Sequence, residues 1–162
     1  MIGTRRRNKT VSIELDIRID SDLWQCIEGL EAICFRAADA VNASGSADLL
    51  LTDNTAMHAL NKEWRGKDKP TDVLSFPNDL DLPDGPGAFL GDVAIGFEIL
   101  KSDAAAGGKT LEAHLSHLLI HGLLHLKGYD HIEEDDAQIM EALEISALKQ
   151  LGFANPYSQA GQ

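Results

Sequence analysis

A chain of 162 residues, 44% of them hydrophobic, is long enough for one domain with a substantial core. It contains no apolar run near the ~20 residues of a membrane-spanning helix. Its formal net charge of -12 excludes broad, non-specific attraction to nucleic acid.

From the N-terminus, Arg5, Arg6 and Arg7 are followed by alternating polar and apolar residues from Asn8 to Ile19, not by a continuous apolar stretch. No signal peptide is expected, and the protein is expected in the cytoplasm. Val11, Ile13, Leu15, Ile17 and Ile19 mark a half-buried strand. Asp20 or Ser21 can cap a helix with the stripe Leu23, Ile27, Leu30, Cys34 and Ala37. On that helix Cys26 and Cys34 lie about 12 Å apart along the axis, too far for a disulfide, and read as small core residues of a reducing compartment. Residues 47–52 form a short buried strand, and Asp53 can cap a helix reaching Trp64.

The polar turn Arg65 to Pro70 leads into a strand over 73–76 that stops at Pro77. Residues 78–87, with two prolines, two glycines and three aspartates, form an exposed loop. Another strand follows over 89–97, then a short helix ending near Gly107. Thr110 opens a helix to about Lys127, and a last helix spans roughly 133–151, its acidic first turn suiting the positive end of the dipole. The expectation is one α+β domain over 1–162, with 1–9 and 156–162 as frayed tails. Its core would be a small mixed sheet of about four strands packed with helices.

Five of the six histidines fall between 114 and 131. His114, His117, His121 and His125 are three, four and four residues apart, so they share one narrow helical face. Leucines and an isoleucine fill the other faces, which makes this a buried central helix with its histidines turned to the interior or to a cleft. One zinc cannot take them all, because His117 and His125 lie ~12 Å apart along the axis. An i, i+4 pair can chelate, and Gly128 can end the helix in the left-handed conformation and return His131 as a third ligand. Three histidines, His121, His125 and His131, then leave a position open for water, as catalytic zinc sites do. His114 and His117 each either line the cleft or are satisfied core histidines.

The pattern resembles the protease signature H-E-x-x-H-x-x-G-x-x-H and implies a zincin-like domain, but Gly122 stands where that signature has its general base. A zinc-bound water can still have a pKa near ~7. The glycine removes a proton carrier and could give room to a bulkier substrate. Lys62, Arg65, Lys67 and Lys69 form a basic island before the strand at 73. On charge alone it is a local anion site or a solvated segment.

The run Trp64-Arg65-Gly66-Lys67-Asp68-Lys69-Pro70-Thr71-Asp72-Val73-Leu74-Ser75-Phe76-Pro77, the triplet Leu90-Gly91-Asp92, and the stretch His121 to His131 together resemble the YbeY family of endoribonucleases. The resemblance extends from about Asn54 to Tyr157. It implies a metal-dependent, single-strand-specific RNA endonuclease acting in 3′-end maturation of small-subunit (16S) ribosomal RNA and in ribosome quality control. It also implies one Zn2+ per chain on His121, His125 and His131. The partners it implies are single-stranded RNA, the small ribosomal subunit with its proteins, and an assembly GTPase.

Arg65 falls on the family's active-site arginine, and a guanidinium there can pair two phosphate oxygens. Asp72 and Asp92 are candidates to accept from the ligand imidazoles or to pair with Arg65, and His117 to line the cleft. Asp130 can cap the last helix, and Phe76 reads as core. Two other readings stay open: a zinc hydrolase of peptides or esters, and a ribosome-assembly binding factor with structural zinc.

Overall fold

The computed structural model describes residues 4–5, 12–78 and 88–157. A short strand β1 (Thr4–Arg5) borders β2 (Ile13–Ile19). A 3-10 helix (Asp22–Cys26) and α1 (Leu30–Ala40) follow, then β3 (Gly45–Thr52) and α2 (Asn54–Arg65). The second half runs β4 (Val73–Pro77), β5 (Phe89–Gly96), α3 (Phe97–Ala106), α4 (Leu111–Leu126) and α5 (Glu134–Gln150). The strands form one mixed sheet in the order β1-β2-β3-β5-β4. In it β2, β3 and β5 are parallel, while β1 and β4 run antiparallel to their neighbours. The α+β expectation holds, with a two-residue edge strand added to the four long ones. The expected loop at 78–87 falls almost wholly outside the described residues.

Alternation assigns the two faces. Ile13, Leu15 and Ile17 of β2, Leu49 and Leu51 of β3, and Val93 and Ile95 of β5 are buried in one cluster with α1, α4 and α5. The opposite face is covered in part by α2, whose Met57 packs with Leu74 and Ala94. At the centre lies α4, which packs on β4, β5 and the helices α1, α3 and α5. Its Leu115, Leu119, Ile120 and Leu123 are fully buried, as a helix apolar on most sides requires.

The single helix expected after β2 is two pieces. Gly29, at φ 68°, breaks it. The Trp24 indole is drawn under the sheet, where Nε1 donates to the Thr52 carbonyl at 2.9 Å and the ring meets Phe97 edge-on. Cys34 is buried, and burial with the nearby Glu31 charge pushes its thiol up to about 12. Cys26 is exposed, against the expectation of a core position.

Candidate functional site

His121 and His125 project from the last turns of α4, with their Nε2 atoms 3.1 Å apart. Two imidazole nitrogens this close share either a proton or a cation. The helix stops at Lys127, and Gly128 takes φ 97°, its N–H bonding the His125 carbonyl while Tyr129 N–H bonds that of Leu124. This is the left-handed ending expected at that glycine. It brings His131 back to stack on His121, with ring centroids 5.3 Å apart, and to meet His125 edge-on at 5.2 Å. One nitrogen from each of the three lies within 4.8 Å of the others. Burial lowers the His125 pKa, and so do the neighbouring His121, His131 and Arg65 charges, which favours the neutral ligand form. The donor type, number and spacing fit a borderline divalent cation such as zinc.

Behind the trio lies a carboxylate that sequence reasoning missed. Glu144 of α5 is fully buried, and its Oε2 faces His121 Nδ1 at 3.0 Å. Its Oε1 faces His117 Nε2 at 2.6 Å and accepts from the Tyr157 hydroxyl at 2.6 Å. Burial alone would raise this carboxyl, but the hydrogen bonds from His117, His121 and Tyr157 overcome it and bring the pKa down to about 2. An ionised Glu144 holds the proton of His121 on Nδ1 and so points Nε2 at the cluster. His117 therefore serves the site through a shared carboxylate. Tyr157 falls within the expected frayed tail, yet its hydroxyl is tied into this network. One signal was available in the sequence: Glu144 interrupts the apolar stripe Met140, Ala147 and Leu148.

Arg65 is the last residue of α2, which Gly66 ends at φ 69°. Its Nη2 donates to the Ser75 carbonyl at 3.4 Å, which brings the guanidinium over β4. Arg65, Ser75, the three histidines and Asp130 line one open cleft of about 410 Å³. Asp130 does not cap α5. Its Oδ1 accepts from Ile132 N–H within the turn, and Glu133 precedes the helix without a side-chain cap bond.

Gly122 has a packing reason. A Cβ there would lie 2.9 Å from Val93 Cγ1 and 3.2 Å from Ser75 Oγ, because α4 presses on the sheet at this point. The position faces β4 and β5, so its missing side chain leaves no extra room for substrate.

Two candidates lie elsewhere. Asp92 shares the sheet face of Ala94, under α2, whereas Val93 faces α4. It points away from the trio, beside Phe76 and Trp64, and desolvation there raises its pKa. Asp72 Oδ1 accepts from Val73 N–H at 2.7 Å, and its carboxylate groups with Asp103 and His114.

An α+β domain that sets three convergent imidazoles beside a guanidinium in an open cleft has the donors of a metallohydrolase. The chain matches the profile of the family described as Endoribonuclease YbeY over residues 13–152. It is 43% identical to Endoribonuclease YbeY of Allorhizobium ampelinum over 163 residues, covering 93% of this chain and 96% of that one. With Endoribonuclease YbeY of Paramagnetospirillum magneticum the identity is 44%, over 93% of this chain and 99% of that one. The solution structure of TM1509 from Thermotoga maritima shares the fold at a TM-score of 0.50 and 24% identity, over 90% of this chain and 99% of that one.

The chain belongs to the YbeY family of endoribonucleases, and membership makes it an RNA-cleaving hydrolase. No helix among the described residues is long and apolar enough to cross a membrane.

Proposed function

We propose that this chain is a zinc-dependent, single-strand-specific endoribonuclease of the cytoplasm, with one catalytic zinc on His121, His125 and His131. Its task is 3′-end maturation of small-subunit (16S) ribosomal RNA and ribosome quality control. Its partners are the small ribosomal subunit, the proteins of that subunit and an assembly GTPase. The observation that carries the reading is the convergence of three imidazoles and the Arg65 guanidinium on one open cleft.

When bound, zinc supplies Lewis acidity toward a phosphate oxygen. The protein's own groups do the rest. Glu144 fixes the tautomer of His121, and the Gly128 turn sets His131. Arg65, tethered to β4 through the Ser75 carbonyl, can pair two phosphate oxygens and stabilise the charge that grows as the phosphodiester is attacked. An open cleft beside the helix end suits a flexible single strand, whose backbone can bend into it. Nothing favours the peptide reading, since position 122 faces Val93 and Ser75 and no base from there reaches the cleft.

The test uses the full chain, zinc-loaded and free of contaminating nuclease, on single-stranded RNA, duplex RNA and casein. Single-stranded RNA should be cut and the other two spared. Arg65→Ala should keep its zinc and circular dichroism while the rate falls about 10²–10³-fold. His125→Ala should lose the zinc of the histidine trio and, with it, the activity. Equal cleavage by wild type and His125→Ala, or undiminished cleavage by Arg65→Ala, would overturn the proposal.

A further inference from the structure

Four histidines of α4 are now placed except one. His121 and His125 join the trio with His131, and His117 meets Glu144. His114 does neither: its side chain is buried, and both ring nitrogens are sealed from solvent with no hydrogen-bond partner. An imidazole buried without any partner costs about 1–3 kcal/mol, so its surroundings call for an explanation.

Those surroundings include two carboxylates beside the His117 ring and Lys109. One oxygen each from Asp72 and Asp103 lies within 4.8 Å of the other and of a His114 nitrogen. No hydrogen bond joins the His114 ring to either carboxylate. The three donors come from three elements: His114 from the first turn of α4, Asp103 from α3, and Asp72 from the segment entering β4. Asp72 is held in place, since its Oδ1 accepts from Val73 N–H and its carbonyl accepts from Gly96 N–H at 2.9 Å. Burial, together with the His117 and Lys109 charges, lowers the His114 pKa against the pull of Asp103 and Asp72 and favours the neutral imidazole. Lys109 directs its own ammonium to the Pro156 carbonyl at 3.5 Å.

We propose that Asp72, Asp103 and His114 bind a second divalent cation of borderline hardness, zinc or manganese, that ties α3 and α4 to the start of β4. One imidazole and two carboxylates suit such an ion better than a soft one, which would need thiolates. The site is distinct from the trio: His114 and His121 are seven residues apart, about 10 Å along the helix axis. The inference does not depend on the proposed reaction.

The experiment is metal stoichiometry on the full chain. Protein stripped with chelator is dialysed against zinc chloride or manganese chloride and gel-filtered in metal-free buffer, and its metal is measured by mass spectrometry. With zinc, wild type should retain two equivalents. Asp103→Asn, His114→Gln and His125→Ala should each retain one, with unchanged circular dichroism. Asp103 is exposed on α3, so its variant decides the matter if His114→Gln fails to fold. A wild type that retains one equivalent or none with either metal overturns the proposal. So does a second equivalent that survives Asp103→Asn, or both equivalents lost together in His125→Ala.

Discussion

Glu144 is the residue on which the histidine geometry turns. A carboxylate with no solvent exposure persists only where its oxygens are satisfied, and here they are by two imidazoles and a phenol. Its work at the cluster is indirect: it contacts the back of His121 and leaves the front free. Glu144→Gln keeps the shape but removes the charge and offers an amide N–H where an acceptor is needed. Zinc affinity should fall about 10–100-fold, measured by competition with a chromophoric chelator. An unchanged affinity would show that Glu144 only packs. Tyr157 joins the same carboxylate, and its own phenol is pushed up by burial and by the hydrogen bond to and charge of Glu144. It therefore stays a donor across the ordinary pH range.

The decisive element is α4, and its contact with the sheet at Gly122 sets the position of everything it carries. A residue that close to Val93 can be only glycine unless strand or helix moves. Gly122→Ala tests this because two effects oppose each other. In a helix interior alanine is favoured over glycine by up to about 1 kcal/mol. The overpacking at Val93 costs about 1–3 kcal/mol, and Val93 is buried, β-branched and unable to swing away. Net destabilisation is expected, seen as a lower urea midpoint at unchanged m-value. A raised midpoint would mean that the helix has slack over β5.

For the whole molecule, a net charge of -12 sits uneasily with a polyanionic substrate. Fourteen Lys and Arg face twenty-six Asp and Glu, and Glu133, Glu134, Asp135 and Asp136 crowd the exposed start of α5, just after the His131 turn. Free single-stranded RNA should bind weakly and through few phosphates. With two or three such contacts, affinity should drop about tenfold between about 50 and 200 mM salt. Fluorescence anisotropy with a labelled oligonucleotide reads this directly, and tight binding insensitive to salt would contradict it. Weak free affinity would suit the proposed delivery of the RNA by protein partners.

The amino-acid order alone determined most of the elements and the grouping of His121, His125 and His131, because both are local. The period of two in Ile13, Leu15 and Ile17 marks a strand, the caps Asp53 and Thr110 mark helix starts, and the i, i+4 pair His121 and His125 with the Gly128 turn brings three imidazoles together within eleven residues. Those signals rest on backbone geometry that short stretches carry within themselves. What depended on distant segments meeting was decided only in three dimensions. The Thr52 carbonyl holds the Trp24 indole from far along the chain, and Asp92 turns away because α2 and α4 cover opposite faces. Gly122 is small because Val93 is near, and Glu144 comes from α5 to hold two histidines of α4. The five clustered histidines likewise look equivalent along the chain. Burial and the partners brought by other elements divide them into a trio, a Glu144-bound His117, and a His114 facing two carboxylates.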